Sequence, residues 1–144
     1  MKRAILVTGA TGFIGSQLVE RLLQSQNLVC IITRPQSDMW RIANLLNNPG
    51  LKVYGDTAEE INRIFSEQNI DCVVHLAGAY IKQHGNIAEM NALISSNVIF
   101  SSVLLEIMRS HNVHSFINIG SFFEYDLSGN VVLSESSPLK PYNF

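Results

Sequence analysis

Short apolar runs alternate with amphipathic stretches along this chain. Residues 4–7 are a continuous apolar run of β type that stops at Gly9. A helical period opens at about Gly12 and sets Phe13, Ile14, Leu18, Leu22 and Leu23 on its inward side. Residues 28–32 form a second apolar run, ending at Thr33-Arg34-Pro35. Met39, Ile42, Leu45 and Leu46 then recur at helical spacing over residues 38–46, and Asn47-Asn48-Pro49-Gly50 stops them. Residues 51–54 read as a third strand, ending in Gly55-Asp56-Thr57. Thr57 with Glu60 three positions later is a capping-box signature. It opens a helix to about Gln68, with Ile61, Ile64 and Phe65 inward. Residues 72–76 are a fourth strand, followed by Ala77-Gly78-Ala79.

Residues 80–89 have no clear period and read as loop with some helix. Residues 89–110 are the longest helical stretch. Its apolar positions are Leu93, Ile94, Val98, Ile99, Val103, Leu104, Leu105, Ile107 and Met108. They cover more than one face, whereas a helix wet on one side needs only one. Residues 115–119 are a fifth strand ending in Gly120-Ser121. Residues 126–130 read as a turn, and residues 134–141 as extended chain or loop. Strands alternating with helices predict βαβ units. The expected class is α/β, a Rossmann-type doubly wound parallel sheet in three αβα layers, incomplete at its C-terminal side. Ligands of such sheets sit beyond the carboxyl ends of the strands. That edge collects Gly9, Thr33-Arg34, Asp56, Ala77-Gly78 and Gly120-Ser121.

Composition narrows the partners. The chain has 144 residues, room for one domain, and 47% of them are apolar. Net charge is −2, and lysine and arginine form no dense run, so neither nucleic acid nor a membrane surface is called for. No apolar run approaches the roughly 20 residues of a membrane span. Met1-Lys2-Arg3 is basic, but a glycine turn follows where a signal peptide would have its apolar core. Cys30 and Cys72 each fall in an apolar strand, which fits buried free thiols in a reducing cytoplasm. His111 and His114 bracket a helix-to-strand turn with no third ligand nearby, so no metal is expected. His75 reads as a core histidine and Trp40 as helix packing.

The first turn carries chemistry. Gly9 lets the backbone leave the strand sharply. Gly12 leaves room for a pyrophosphate at bare N–H groups, where the helix dipole favours negative charge. Gly15 lets the helix lie close on the strand. The triplet follows a strand and opens a helix, the context that a dinucleotide site requires.

Residues 7–15, Gly55-Asp56, residues 71–78, Asn97-Val98 and residues 116–121 resemble the extended short-chain dehydrogenase/reductases. More narrowly, they resemble the NAD-dependent epimerase/dehydratase branch that acts on nucleotide sugars. The resemblance implies that Gly9, Thr11, Gly12, Phe13, Ile14 and Gly15 hold the pyrophosphate. Asp56 and Thr57 would bond the adenine, and Leu76, Ala77 and Gly78 would flank the ribose and nicotinamide. Ser121 matches the family's serine or threonine, which bonds the substrate oxygen at the reacting carbon. The helix asparagine is Asn97 by motif, with Ser96 the neighbouring alternative.

Two positions depart from the family pattern. NAD-users carry an acidic residue at the end of the second strand. Here Thr33 stands there and Arg34 follows, so a 2′-phosphate could pair with the guanidinium. NADP is the expected cofactor, with NAD possible. The family's proton-moving group is a tyrosine followed four residues on by a lysine. Glu135, Pro138 and Pro141 fit the run that precedes it, which puts the tyrosine just past residue 144; the alternative is Tyr142 itself. The expectation is therefore that residues 1–144 are the amino-terminal NAD(P)-binding part of a nucleotide-sugar 4-reductase or 4-epimerase, inactive alone. A homodimer through residues 93–108 is expected as well. A stand-alone dinucleotide-binding sensor or scaffold, and an NADPH reductase of a non-sugar ketone, are the competing readings.

Overall fold

The computed structural model describes residues 2–80, 85–128 and 132–141. Five strands form one sheet: β1 (Ala4–Thr8), β2 (Leu28–Ile32), β3 (Leu51–Tyr54), β4 (Cys72–His75) and β5 (Phe116–Asn118). All pairings are parallel and the order is β3-β2-β1-β4-β5. The order reverses between β1 and β4, and a ligand crevice forms at such a switch point. Central strands are buried on both faces, which is why they read as unbroken apolar runs.

Alternate residues of each strand feed two cores. Leu6, Cys30, Ile32 and Val73 pack with Ile61, Ile64 and Phe65 of α2 (Ala58–Glu67) and with Leu104 and Met108. Ile5, Val7, Val29, Ile31 and Val74 pack on the other face with Val19 and Leu23 of α1 (Phe13–Gln24) and with Ile42. The layers are thus αβα.

Several elements differ from the sequence expectation. Phe13 and Ile14 are exposed, at 76% and 60%; Gly15, Ser16, Val19 and Leu23 form the buried stripe. The first turn of α1 places Gly15 and Ser16 on its inward side, Gly15 against the Gly9–Ala10 backbone, which leaves Phe13 and Ile14 facing outward. Residues Trp40–Leu45 form a 3₁₀ helix and no α-helix. A 3₁₀ turn rises about 2.0 Å per residue against about 1.5 Å, so six residues carry the chain further back towards β3. Only Ile42 of that turn is buried; Trp40 is exposed, with the Arg41 guanidinium 4.3 Å from its ring. Thr57 caps α2 by accepting from the Glu60 amide, but the Glu60 carboxylate pairs with Arg63 instead of closing the box. Cys72 is only half-buried, while burial pushes the Cys30 thiol up to about 11.

The long helix starts earlier than its periodicity suggests, because Asn86 accepts from the Glu89 amide and caps it. It runs unbroken over Ile87–Ser110 as α3 (Ile87–Ile94), a π turn (Ser95–Ile99) and α4 (Phe100–Ser110). It spans 24 residues, and its most apolar 18-residue window has a mean hydropathy of 1.4, enough to cross a membrane by length and composition, although Glu89, Asn91, Asn97 and Glu106 keep it from being an unbroken apolar run. Its α4 part nevertheless anchors in the domain core through Leu104 and Met108. β5 is short, and its Ile117 is half exposed. His111 Nε2 donates to Asn62 Oδ1, 2.9 Å away, and the ring stacks on Phe65.

Candidate functional site

A cavity of about 460 Å³ opens at the carboxyl edge of the sheet, over the switch point. The β1–α1 turn forms its floor. Gly9 has φ +67°, and a Cβ there would lie 2.6 Å from the Leu76 carbonyl carbon, so only glycine fits. A Cβ on Gly15 would stand 2.1 Å from the Gly9 carbonyl oxygen. This is the close helix-to-turn approach that Gly15 permits. Gly12 is the N-cap of α1, with no side chain capping the helix and no acidic residue in its first turn. The first amides of α1 therefore keep their donors, and the helix dipole adds positive potential. Gly9, Thr11 and Gly12 line the cavity from this side.

The second strand supplies the next wall. Thr33 is tied to β3: its amide and its hydroxyl both donate to the Tyr54 carbonyl, at 2.9 and 3.4 Å. Its side chain is thereby turned from the cavity. Arg34 and Ser37 close a tight turn, since the Arg34 amide donates to Ser37 Oγ and the Ser37 amide to the Arg34 carbonyl. Both residues line the cavity. The Arg34 side chain is exposed at its mouth. Asp56 lines the third side, while its neighbour Thr57 is spent on capping α2.

Leu76, Ala77 and Gly78 form the far wall. Thr8 Oγ1 accepts from the Leu76 and Ala77 amides at 3.2 and 3.1 Å and so fixes their direction. Beyond them, Asn97 holds Ala79 by both of its amide groups. Its Oδ1 accepts from the Ala79 amide at 2.7 Å, and its Nδ2 donates to the Ala79 carbonyl at 3.0 Å. Ala92, Ser95, Ser96 and Phe100 complete the lining from the long helix.

The family model for the NAD-dependent epimerase/dehydratase family matches residues 5–143. The chain belongs to that family. It is 37% identical over 142 residues to a UDP-glucose 4-epimerase of Neisseria meningitidis serogroup A, across 94% of this chain and 41% of that protein. It is 33% identical over 129 residues to a CDP-abequose synthase of Yersinia pseudotuberculosis, across 89% and 43%. Among solved structures, it superposes on the UDP-glucuronic acid 4-epimerase from Bacillus cereus in complex with UDP-glucuronic acid and NAD. The TM-score is 0.79 at 26% identity, over 96% of this chain and 46% of that one. The chain thus spans under half the length of the relatives it matches.

Within this epimerase/dehydratase chain, the cavity gathers eight of the residues singled out from sequence: Gly9, Thr11, Gly12, Arg34, Asp56, Leu76, Ala77 and Gly78. Gly15 and Asn97 act one layer behind it, through the close contact and the Ala79 clamp described above. Phe13, Ile14, Thr33 and Thr57 do not line it. Ser121 stands at the end of β5, also outside the lining. Its hydroxyl accepts from the Phe123 amide and its own amide donates to Glu124 Oε1, capping a short 3₁₀ turn (Phe122–Glu124). Tyr142 lies outside the described residues.

Sequence reasoning missed Thr8, Ile32, Ser37, Ala92, Ser95 and Phe100, and it named Ser96 only as the alternative to Asn97, although it is Ser96 that lines the cavity. Two signals were present. Ser37 sits three residues after Arg34, the spacing of a side-chain-closed turn. Ser95-Ser96-Asn97 is a polar run inside an otherwise apolar helix, where polar residues need a reason.

Proposed function

We propose that this chain is the cofactor-binding part of an NADP-dependent nucleotide-sugar 4-reductase or 4-epimerase. The observation that carries the reading is a conjunction in one cavity: an uncapped helix start behind Gly12, and the Arg34–Ser37 turn opposite it. The fit to a dinucleotide is steric as well as electrostatic. A side chain at Gly12 would stand where a pyrophosphate has to approach, and Gly9 and Gly15 let the backbone around it pack closely enough to form the turn. A cavity of about 460 Å³ is in the range of small-molecule and cofactor sites. Membership of a family whose named relatives act on UDP- and CDP-sugars supports the substrate class, and coverage of under half their length supports a partial chain.

In this reading each residue has a physical task. The α1 amides and Thr11 receive the pyrophosphate. Arg34 pairs with the 2′-phosphate, and Ser37 offers a second donor beside it. Asp56 accepts from the adenine amino group. Leu76, Ala77 and Gly78 shape the ribose and nicotinamide end. The bound dinucleotide supplies hydride transfer at the sugar C4. Ser121 orients the sugar oxygen with its hydroxyl proton, while its oxygen accepts from the Phe123 amide. Proton movement at that oxygen belongs to a tyrosine at or beyond residue 142. The protein works as a homodimer in the cytoplasm, pairing through the bare face of the long helix.

The reading is tested by titrating the chain with NADPH and NADH, with and without Arg34→Ala. NADPH binds more tightly to the wild type, and the substitution narrows the gap about tenfold or more, the worth of one charge-assisted contact. Equal wild-type affinities, or NADH binding tighter, refute the NADP assignment.

A further inference from the structure

The Leu76–Ala77 wall of the cavity is held from behind by a directed chain of hydrogen bonds. Thr8 Oγ1 accepts from two backbone amides, those of Leu76 and Ala77. A hydroxyl has two acceptor lone pairs and one proton. Both lone pairs are therefore in use, and the proton goes to His75 Nδ1, 2.8 Å away. Nδ1 is then the bare nitrogen, and Nε2 carries the ring proton. Nε2 donates to Ser101 Oγ at 3.0 Å, and Ser101 donates in turn to the Asn97 carbonyl at 3.0 Å. Each donor meets one acceptor, from the β4 end to the π turn of the long helix.

That balance exists only for a neutral imidazole. An imidazolium donates from both nitrogens. A third donor aimed at Thr8 Oγ1 finds no free lone pair, so one of the amides must lose its acceptor. We propose that His75 is a positioning residue whose neutral, Nε2-protonated ring holds the Leu76–Ala77 wall in place, so that protonating the ring releases that wall. Its consequence for cofactor binding rests on the function proposed above; its hydrogen-bond chemistry does not.

The surroundings favour the neutral ring. His75 is 5% exposed, and burial lowers its pKa from the ordinary value of 6.5. Thr8 faces it from β1, and Asn118 and Phe116 from β5. Phe100 and Ser101 face it from α4. None of these groups titrates. The link also explains a use for the π turn. It presents Asn97 to Ala79 and, through Ser101, joins His75 to the same backbone, so one helix segment ties down two successive stretches of the cavity wall.

The test uses the ¹⁵N-labelled 144-residue chain as wild type, His75→Phe and His75→Asn. In His75→Asn the amide oxygen can stand where Nδ1 stands and accept from Thr8 without titrating. The ring nitrogen shifts of wild-type His75 show the Nε2–H form at neutral pH. Exchange protection of the Leu76 and Ala77 amides falls about five- to tenfold in His75→Phe, the worth of one net hydrogen bond. Acidification brings the wild type to the same level and leaves His75→Asn protected. A Nδ1–H ring overturns the proposal, as does protection that ignores both acid and substitution. If His75→Phe does not fold, wild type against His75→Asn across pH makes the same decision. NADPH titration on the same samples separates the two readings. Amides that behave as described without dinucleotide binding retire the cofactor reading alone; binding with acid-insensitive amides retires this one.

Discussion

Gly12 and Gly15 lie three residues apart in one turn, yet side chains added to them should fail in different ways. At Gly15 a Cβ would sit 2.1 Å from the Gly9 carbonyl oxygen and 2.8 Å from the Ala10 Cα. All of these neighbours are backbone, so α1 or the turn must move by about an ångström to restore contact distance. Alanine gains about 0.5–1 kcal/mol over glycine inside a helix. Overpacking of this kind costs about 1–3 kcal/mol or more, so the loss wins. Gly15→Ala should lower the urea midpoint by about 1 M, taking a slope of about 1–3 kcal/mol per M. At Gly12 the nearest atom to a new Cβ is the Gly9 carbonyl oxygen at 3.2 Å, and φ −74°, ψ 175° suits any residue. Gly12→Val loses a favourable cap, about 1 kcal/mol, and recovers about 0.4–1 kcal/mol from a stiffer unfolded chain. Its stability should stay within about 1 kcal/mol of wild type while its branched side chain blocks the phosphate. Urea denaturation with a dinucleotide titration on each variant is the assay. A Gly15→Ala chain as stable as wild type would show that the packing argument is wrong. A folded Gly12→Val chain with normal binding would put the pyrophosphate elsewhere.

The other predictions concern pH and association. The folded pKa of His75 lies below its unfolded value of 6.5, so as pH drops below 6.5 the unfolded chain takes up a proton that the folded chain refuses. Stability therefore falls through that window and levels off below the folded pKa; His75→Asn should remove this slope, as denaturation at pH steps between 7 and 5 would show. Glu106 and Asp126, lowered by hydrogen bonds to Arg109 and Ser128, add their own losses only at the more acidic pH of carboxylates. The long helix leaves Ile87, Met90, Ile94, Val98, Ile99 and Leu105 exposed. Sedimentation at several concentrations should show self-association, because exposed apolar patches of this kind drive it; a charged pair at Ile99 and Val103 should give a monomer, and a wild-type monomer at high concentration would refute the idea.

The sheet was legible because parallel strands buried on both faces leave an unbroken apolar signature. Residues 28–32 and 72–75 could hardly be anything else once Gly, Pro and helical stretches separated them. The glycine turn was legible because its demands are backbone demands: a positive φ at Gly9 and a Cβ-free contact at Gly15 depend on local geometry. What the sequence determined, then, was the layer order, the sheet edge at which the cavity opens and half of the cavity lining. The remainder waited on the third dimension. Nothing in residues 89–110 announces a π turn, since that register is set by partners far along the chain, Ala79 for Asn97 and His75 for Ser101. Phe13 and Ile14 have the right period for burial, but the close packing of Gly15 on the β1–α1 turn sets Gly15 and Ser16 inward and so leaves Phe13 and Ile14 exposed. The His75 relay was equally hidden. Its histidine reads as core from sequence alone, and only the packing of β1, β4 and the helix supplies a lone pair or a proton on each side of its ring.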